Sequence, residues 1–347
     1  MVMEQIYNLT KEELAEKLKD LNLPKYRTNQ IYDWLSSYAK IDEMNNLPKE
    51  LREELKTIFI DEPIKIKKEF KSKDGTIKFL YELADGNLIE GVLMQYKYGN
   101  TLCVSTQVGC RMGCTFCASG LDGLVRHLSA GEILGQVLCV NRYLGGNKEN
   151  RQITNIVLMG SGEPLDNYDN VVKFIKLVSS PDGINISQRN ISLSTCGLAD
   201  RIKKLTDENL GITLTISLHA TTDDSRKSLM KVANAYSLEE LMEAIRYYYE
   251  KTHRRVVFEY IMLKENTTPG DALRLRALTR GIACHVNLIP ANINKECNIH
   301  PITKEKETKF WQALKDAGVS ATTRRTLGSD IEGACGQLKR RVLKEGL

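Results

Sequence analysis

"TLCVSTQVGCRMGCTFCASG", residues 101–120, governs how the rest of the chain is read. It opens as an alternating run of strand type, passes into a glycine-rich loop and places Cys110, Cys114 and Cys117 within eight residues. The spacing Cys-x3-Cys-x2-Cys can wrap three thiolates around one metal centre, with Gly109 and Gly113 letting the backbone approach the sulfurs closely. Zinc is the obvious rival, but a structural zinc site wants four closed ligands, and neither a fourth cysteine nor a histidine stands at finger-like spacing. His127, the nearest alternative, reads as an ordinary loop or surface residue. A [4Fe–4S] cluster on three cysteines leaves one iron open, as catalytic metal sites leave an open position in general.

Downstream of this loop the chain alternates strand and helix. Strand patterns stand at 153–160 ("ITNIVLMG"), 190–197, 212–220, 255–263, 285–290 and 319–326, with helical patterns near 130–144, 169–179, 199–209, 237–252, 270–281 and 304–318 between them. With "TLCVST" as the first strand, this is an α/β chain that predicts a partial (β/α)6 barrel, its chemistry at the C-terminal strand ends. Upstream, "IKIKKEF", "TIKFLYEL" and "NLIEGVLMQY" alternate with turn signals at Asp74-Gly75 and Asp85-Gly86 and can form a meander. The first 60 residues read as a separate bundle of three helices: Thr10 and Glu13 form a capping box ahead of Leu14, Leu18 and Leu21, and Pro24 and Pro48 mark breaks. The expected organisation is a small N-terminal helical accessory domain at 1–62, a β-rich extension carrying Glu90 at 63–100, the barrel at 101–330 and a C-terminal segment carrying Cys335 at 331–347.

Composition bounds the function. A chain of 347 residues accommodates one large domain and a smaller module, and 27% charged with 42% hydrophobic residues fits a soluble globular protein. A net charge of +5 permits nucleic-acid binding without requiring it. No apolar run approaches the roughly 18 residues a spanning helix needs, and the N-terminus is too acidic and polar for a signal peptide, so no membrane association and a cytoplasmic location are expected. Nine cysteines are too sparse here for a disulfide scaffold, which leaves metal binding or catalysis for any cluster among them.

The CxxxCxxC loop after the first strand of a β/α barrel resembles the radical S-adenosylmethionine superfamily, and "MGSGEP" (159–164) resembles that superfamily's glycine-rich cofactor motif. More narrowly, "CVSTQVGCRMGCTFCASG", "GSGEPLDNYDNV", "STCGL", "SLHA", "HVNLIP" and "DIEGACGQL" are together similar to bacterial methyltransferases that act on carbon 2 of adenine in 23S rRNA and in tRNA. A sister group that methylates carbon 8 and confers antibiotic resistance tends to differ at the positions of Pro164, Cys196 and Pro290, which favours the carbon-2 reading.

The resemblance implies one [4Fe–4S] cluster on Cys110, Cys114 and Cys117 and two molecules of S-adenosylmethionine per turnover. It implies Cys335 as methyl carrier, Cys103 as resolving thiol, ending in a Cys103–Cys335 disulfide, and Glu90 as proton acceptor. It also implies cofactor contacts at Gly162, Glu163, Ser194, Ser217, Leu218, His219 and Asn292, a low-potential electron donor of flavodoxin or ferredoxin type, and an N-terminal module that binds RNA. Each residue also has a plainer reading. Lone cysteines are usually packing residues, the role expected of Cys139, Cys196, Cys284 and Cys297. Glu90 alone reads as a surface glutamate on a strand, although its apolar neighbours Ile89 and Val92 would suit a proton acceptor whose basicity is raised by partial burial, and His219 reads as a structural histidine. Basic runs at 65–73, 251–255, 322–326 and 339–341 are usually solvated faces; Arg324-Arg325 and the tail stand out for their nearness to Cys335. A different class, a non-catalytic RNA-binding protein with a structural metal centre, gives an open iron and a functional Cys335 no purpose.

Overall fold

The computed structural model describes residues 3–292 and 301–338. Cys297 and the basic tail at 339–341 lie outside the described residues.

Thr10 closes the first helix as expected: its hydroxyl accepts from Glu13 N at 3.2 Å and Glu13 Oε2 accepts from Thr10 N at 2.8 Å. Helices α1 (Lys11–Lys17), α2 (Lys25–Ser36) and α3 (Lys49–Ile58) follow, with Pro24 and Pro48 at the caps of the last two. Leu14, Leu18, Ile31, Leu35 and Leu55 are buried between them. The ends of this module are joined by a parallel pairing of β1 (Glu4–Gln5) with β2 (Phe59–Ile60), too short to be visible as a pattern.

The meander forms as β3 (Ile64–Lys71), β4 (Ile77–Leu83) and β5 (Leu88–Tyr96). It is not a layer of its own, because β5 pairs antiparallel with β6 (Gly99–Cys103), the first barrel strand. The run expected to continue β6 splits: β7 (Gln107–Gly109) leaves the large sheet and pairs with β8 (Leu124–His127), so the cysteine loop is held between two short antiparallel strands. His127 is exposed, as expected, and its Nδ1 lies 3.0 Å from Gln107 Nε2.

The β/α alternation then runs α4 (Ala130–Tyr143), β9 (Ile153–Leu158), α5 (Tyr168–Val178), β10 (Ile191–Thr195), α6 (Ala199–Asp207), β11 (Thr213–Ser217), α7 (Asp223–Leu229), α8 (Leu238–Thr252), β12 (Val256–Met262), α9 (Pro269–Leu278), β13 (Cys284–Pro290), α10 (Lys304–Asp316) and β14 (Ala321–Thr323). The ten-stranded sheet has the order β14-β13-β12-β11-β10-β9-β6-β5-β4-β3, parallel from β6 through β14 and open at both edges. This is the expected partial barrel. Within this β/α run the seven-residue α7, too short and charged for a periodic signal, was not legible.

Burial explains the wide interior. The sheet face that carries Ile156, Leu193, Leu214, Phe258 and Leu288 is wholly buried in the apolar core. Alternate residues Asn155, Ser192, Thr215 and Asn287 line a cavity on the other face. Small polar side chains leave room inside that a layer of valines and leucines would fill.

Candidate active site

The C-terminal ends of the barrel strands surround one cavity. Cys110, Cys114 and Cys117 form part of its wall, and Gly162, Glu163, Ser194, Ser217, His219, Asn292 and Cys335 line it with them. Of the residues expected around the cofactor, only Leu218 turns away: its side chain is fully buried in the apolar core and its backbone N–H donates to Glu259 O at 3.1 Å.

The cysteine loop is fastened at several points. Cys110 N–H donates to Gly123 O at 3.0 Å, Thr115 N–H to Leu229 O at 3.0 Å and Ala118 N–H to Gly336 O at 2.8 Å. Gly109 sits at φ +77°, and a Cβ there would stand 2.0 Å from Gly123 O, so the turn into Cys110 admits no side chain. Burial pushes the Cys110 thiol up to about 12, and those of Cys114 and Cys117 upward as well. Such thiols stay protonated until a metal replaces their protons.

Glu163 is buried and fully engaged. Its Oε2 accepts from Cys196 N at 2.7 Å and its Oε1 from Leu165 N at 3.0 Å, while loss of water raises its pKa. Gly162, with φ +110°, brings the backbone against Gln107, whose Cβ would lie 2.7 Å from a Cβ added there. Gly162→Ala should therefore cost about 1–3 kcal/mol in backbone strain alone and displace Glu163; a fall in thermal midpoint together with weakened S-adenosylmethionine binding by calorimetry would show it. His219 adopts φ +57°, packs edge-on to Phe116 at 4.8 Å between ring centres and accepts from Ile261 N through Nδ1 at 3.1 Å. Burial drives its pKa down to about 3, so the ring is neutral with its proton on Nε2.

A second cavity adjoins the first and is lined by both Cys103 and Cys335. Cys103 ends β6 and is buried; burial lifts its thiol to about 12, the nearby Cys335 adds to the rise and Arg324 opposes it. Cys335 is exposed, and its carbonyl accepts from Asn292 Nδ2 at 3.0 Å. Arg324 lines both cavities, with Nη1 3.8 Å from Glu259 Oε2 and 3.6 Å from Met159 Sδ. Its neighbour Arg325 lines only the second.

Glu90 lies deeper than expected. It is fully buried, registers with Leu80, and pairs with Lys78 Nζ at 3.3 Å; the lysine is buried too. Val92, two residues along the same face, registers with Cys103, which makes Glu90 the diagonal neighbour of that cysteine. Strand alternation placed the carboxylate but could not reveal the ion pair. Cys196 packs in an apolar cluster as expected, and it also lines the cavity while its backbone N–H holds Glu163. Among the other basic runs, Arg254 is structural, donating to Gly211 O and Ile212 O, and Lys65 and Lys67 pair with Glu82.

The geometry agrees with the similarity to known proteins. Residues 104–275 match the radical SAM superfamily, and residues 5–60 match the ribosomal RNA large subunit methyltransferase N-terminal domain. A radical SAM methyltransferase from Sphaerobacter thermophilus has a solved structure that superposes with a TM-score of 0.92 at 41% identity, covering 97% of this chain and 99% of that one. Proteins named "Probable dual-specificity RNA methyltransferase RlmN" from Clostridium novyi and Clostridium perfringens strain 13 are 48% and 50% identical over 346 residues, covering 99% of this chain and 99% and 98% of theirs. The chain belongs to the RlmN family of radical SAM RNA methyltransferases.

Membership of that family implies a [4Fe–4S] cluster and S-adenosylmethionine, and the residues present fit both. Among the described residues no three His, Cys, Asp or Glu side chains are grouped as a single metal ion needs. The three cysteines nevertheless share one cavity wall, as suits a cluster that takes each thiolate on a different iron. The fully buried Arg226 holds the carbonyl of Cys196 on the same wall, and its Nε and Nη1 have no hydrogen-bond partner among the described residues. Among the described residues no helix is long and apolar enough to cross a membrane.

Proposed function

We propose that this RNA methyltransferase acts on carbon 2 of an adenosine in 23S rRNA and in tRNA, with Cys335 as methyl carrier and Cys103 as resolving thiol. The observation that carries this reading is the placement of both cysteines on one cavity adjoining the wall of Cys110, Cys114 and Cys117. Carbon 2 of adenine is electron-poor and its C–H bond scarcely acidic, so a direct polar attack on a methylsulfonium is not available. A cluster held by Cys110, Cys114 and Cys117 would supply the electron for reductive cleavage of S-adenosylmethionine, and a methyl on Cys335 would be the hydrogen donor to the radical so produced.

Cys335, exposed to the cavity, first takes that methyl group from another S-adenosylmethionine by displacement at carbon, releasing S-adenosylhomocysteine. After the methylene carbon has joined the adenine, the adduct radical gives one electron back to the one-electron carrier that started the reaction and its carbon-2 proton to a base, leaving a closed-shell thioether bridge between the adenine and Cys335. Attack of the Cys103 thiolate on Cys335 sulfur then expels the methylene carbon with its electron pair delocalised into the ring, and protonation of that carbon releases the methylated RNA and leaves a Cys103–Cys335 disulfide, which an external reductant must open. Glu90 is the proposed proton acceptor. Lys78, its ion-pair partner, also donates to Glu332 O at 3.3 Å, three residues before Cys335, so the carboxylate is linked to the segment bearing the methyl carrier. Gly162, Glu163, Ser194, Ser217, His219 and Asn292 are the proposed walls of the S-adenosylmethionine site. The N-terminal helices are proposed to bind RNA, in a cytoplasmic protein served by a flavodoxin- or ferredoxin-type donor.

The test is product identity. Anaerobically reconstituted protein given S-adenosylmethionine, a reductant and either a 23S rRNA fragment or tRNA should yield 2-methyladenosine, resolved by chromatography and mass spectrometry against synthetic isomers. Formation of 8-methyladenosine, or of no methylated adenosine, would overturn the reading.

A further inference from the structure

Arg226 has no role in the chemistry above, yet among the described residues it is the largest fully buried side chain. Its guanidinium makes a hydrogen bond from Nη2 to Cys196 O at 2.6 Å, while Nε and Nη1 have no hydrogen-bond partner among the described residues. Asp223, on the same helix, is an acidic group whose charge reaches the guanidinium, and its Oδ1 accepts from Leu238 N at 2.8 Å. A buried cation with open donors is unfavourable unless an anion faces it.

Its position says which anion. Helix α7 carries Arg226, and the last carbonyl of α7, on Leu229, accepts from Thr115 N between Cys114 and Cys117. Leu229 and Met230 belong to the same apolar cluster as Cys196, against which Cys114 and Phe116 pack. Cys196, whose carbonyl the guanidinium holds, lines the cavity with the three cysteines. Gly197 leaves space for this arrangement, since a Cβ there would stand 3.0 Å from Nη2.

We propose that Arg226 is the buried counter-charge of the three-cysteine centre, strengthening retention of its cluster and raising its reduction potential. The proposal rests on reading that centre as a [4Fe–4S] site. Three thiolates leave such a cluster with net negative charge, and one-electron reduction adds another. A fixed cation behind one thiolate, screened from water, favours both the loaded and the reduced forms. Arg226 acts through Cys114 and the cavity wall rather than on substrate, so it is a positioning residue.

The experiment compares full-length wild type, Arg226→Lys and Arg226→Met after anaerobic reconstitution. Iron and sulfide analysis of the wild type tests the cluster itself, independently of Arg226. Potentiometric titration followed by electron paramagnetic resonance should show at least a tenfold loss in the reduction equilibrium for Arg226→Met, about 59 mV for one electron. Arg226→Lys should retain most of the wild-type value. Equal potentials in wild type and Arg226→Met, or an equal fall in both variants, would overturn the proposal. If Arg226→Met does not load, iron loss to a chelator decides: Arg226→Lys should hold iron, and failure of both would point to shape rather than charge. A third arm needs no cluster. Without it the buried cation is a cost, so metal-free Arg226→Met should melt no lower than metal-free wild type; a lower midpoint would count against a counter-charge role.

Discussion

Cys103→Ala protein, incubated with S-adenosylmethionine, reductant and RNA, should accumulate a covalent protein–RNA adduct. Alanine removes the thiol that shares a cavity with Cys335, and every earlier step of the proposed reaction uses other groups. Methyl transfer to Cys335 and bond formation to the adenine should proceed, leaving the thioether bridge with nothing to attack it. The adduct should persist on a denaturing gel, disappear on nuclease treatment and be absent from the Cys103→Ala, Cys335→Ala double variant. In the wild type, burial holds the Cys103 thiol near 12, so its thiolate fraction grows as pH rises, and decay of the transient bridge should accelerate toward alkaline pH. Normal turnover by Cys103→Ala without adduct would assign resolution to another thiol.

Alanine at any one of Cys110, Cys114 or Cys117 should abolish the brown cluster and 5′-deoxyadenosine formation together. The loss should be complete because no substitute ligand is at hand. Cys196 and Cys335 also line the cavity, but the backbone N–H of Cys196 is held by the Glu163 carboxylate at the end of β10, and Cys335 stands on the C-terminal segment beside Cys103. His219 faces the cavity with Nδ1 already accepting from Ile261 N. Iron analysis and product chromatography would measure the effect, and near-stoichiometric iron with normal deoxyadenosine yield in any of the three would refute the assignment. Cys335→Ala separates the two functions: it should load normally and yet accept no methyl group.

How far the sequence reaches can be judged at individual residues. The strand patterns at 153–160 and 255–263 became β9 and β12 within a few residues, because period-two alternation reports directly on which side chains face the core. Thr10 and Glu13 formed the expected capping box because that motif closes on itself within one helical turn. Cys110, Cys114 and Cys117 were legible for the same reason, their spacing being a local fact about a single loop.

Arg226 was not legible, nor was the ion pair of Glu90 with Lys78, nor the place of Cys196 on the cavity wall. Each depends on partners that the sheet order brings together from distant parts of the chain: the guanidinium meets a carbonyl thirty residues away, and Ala118 N–H meets Gly336 O. By itself the sequence determined the β/α alternation, the three-cysteine loop and the family, since these are written in periodicity and short-range spacing. Tertiary structure alone decided that Cys103 and Cys335 share a cavity and that the buried Arg226 holds the carbonyl of Cys196 on the wall of the other cavity. Such contacts are set by strand register and by how much water the fold excludes, quantities that no stretch of sequence carries separately.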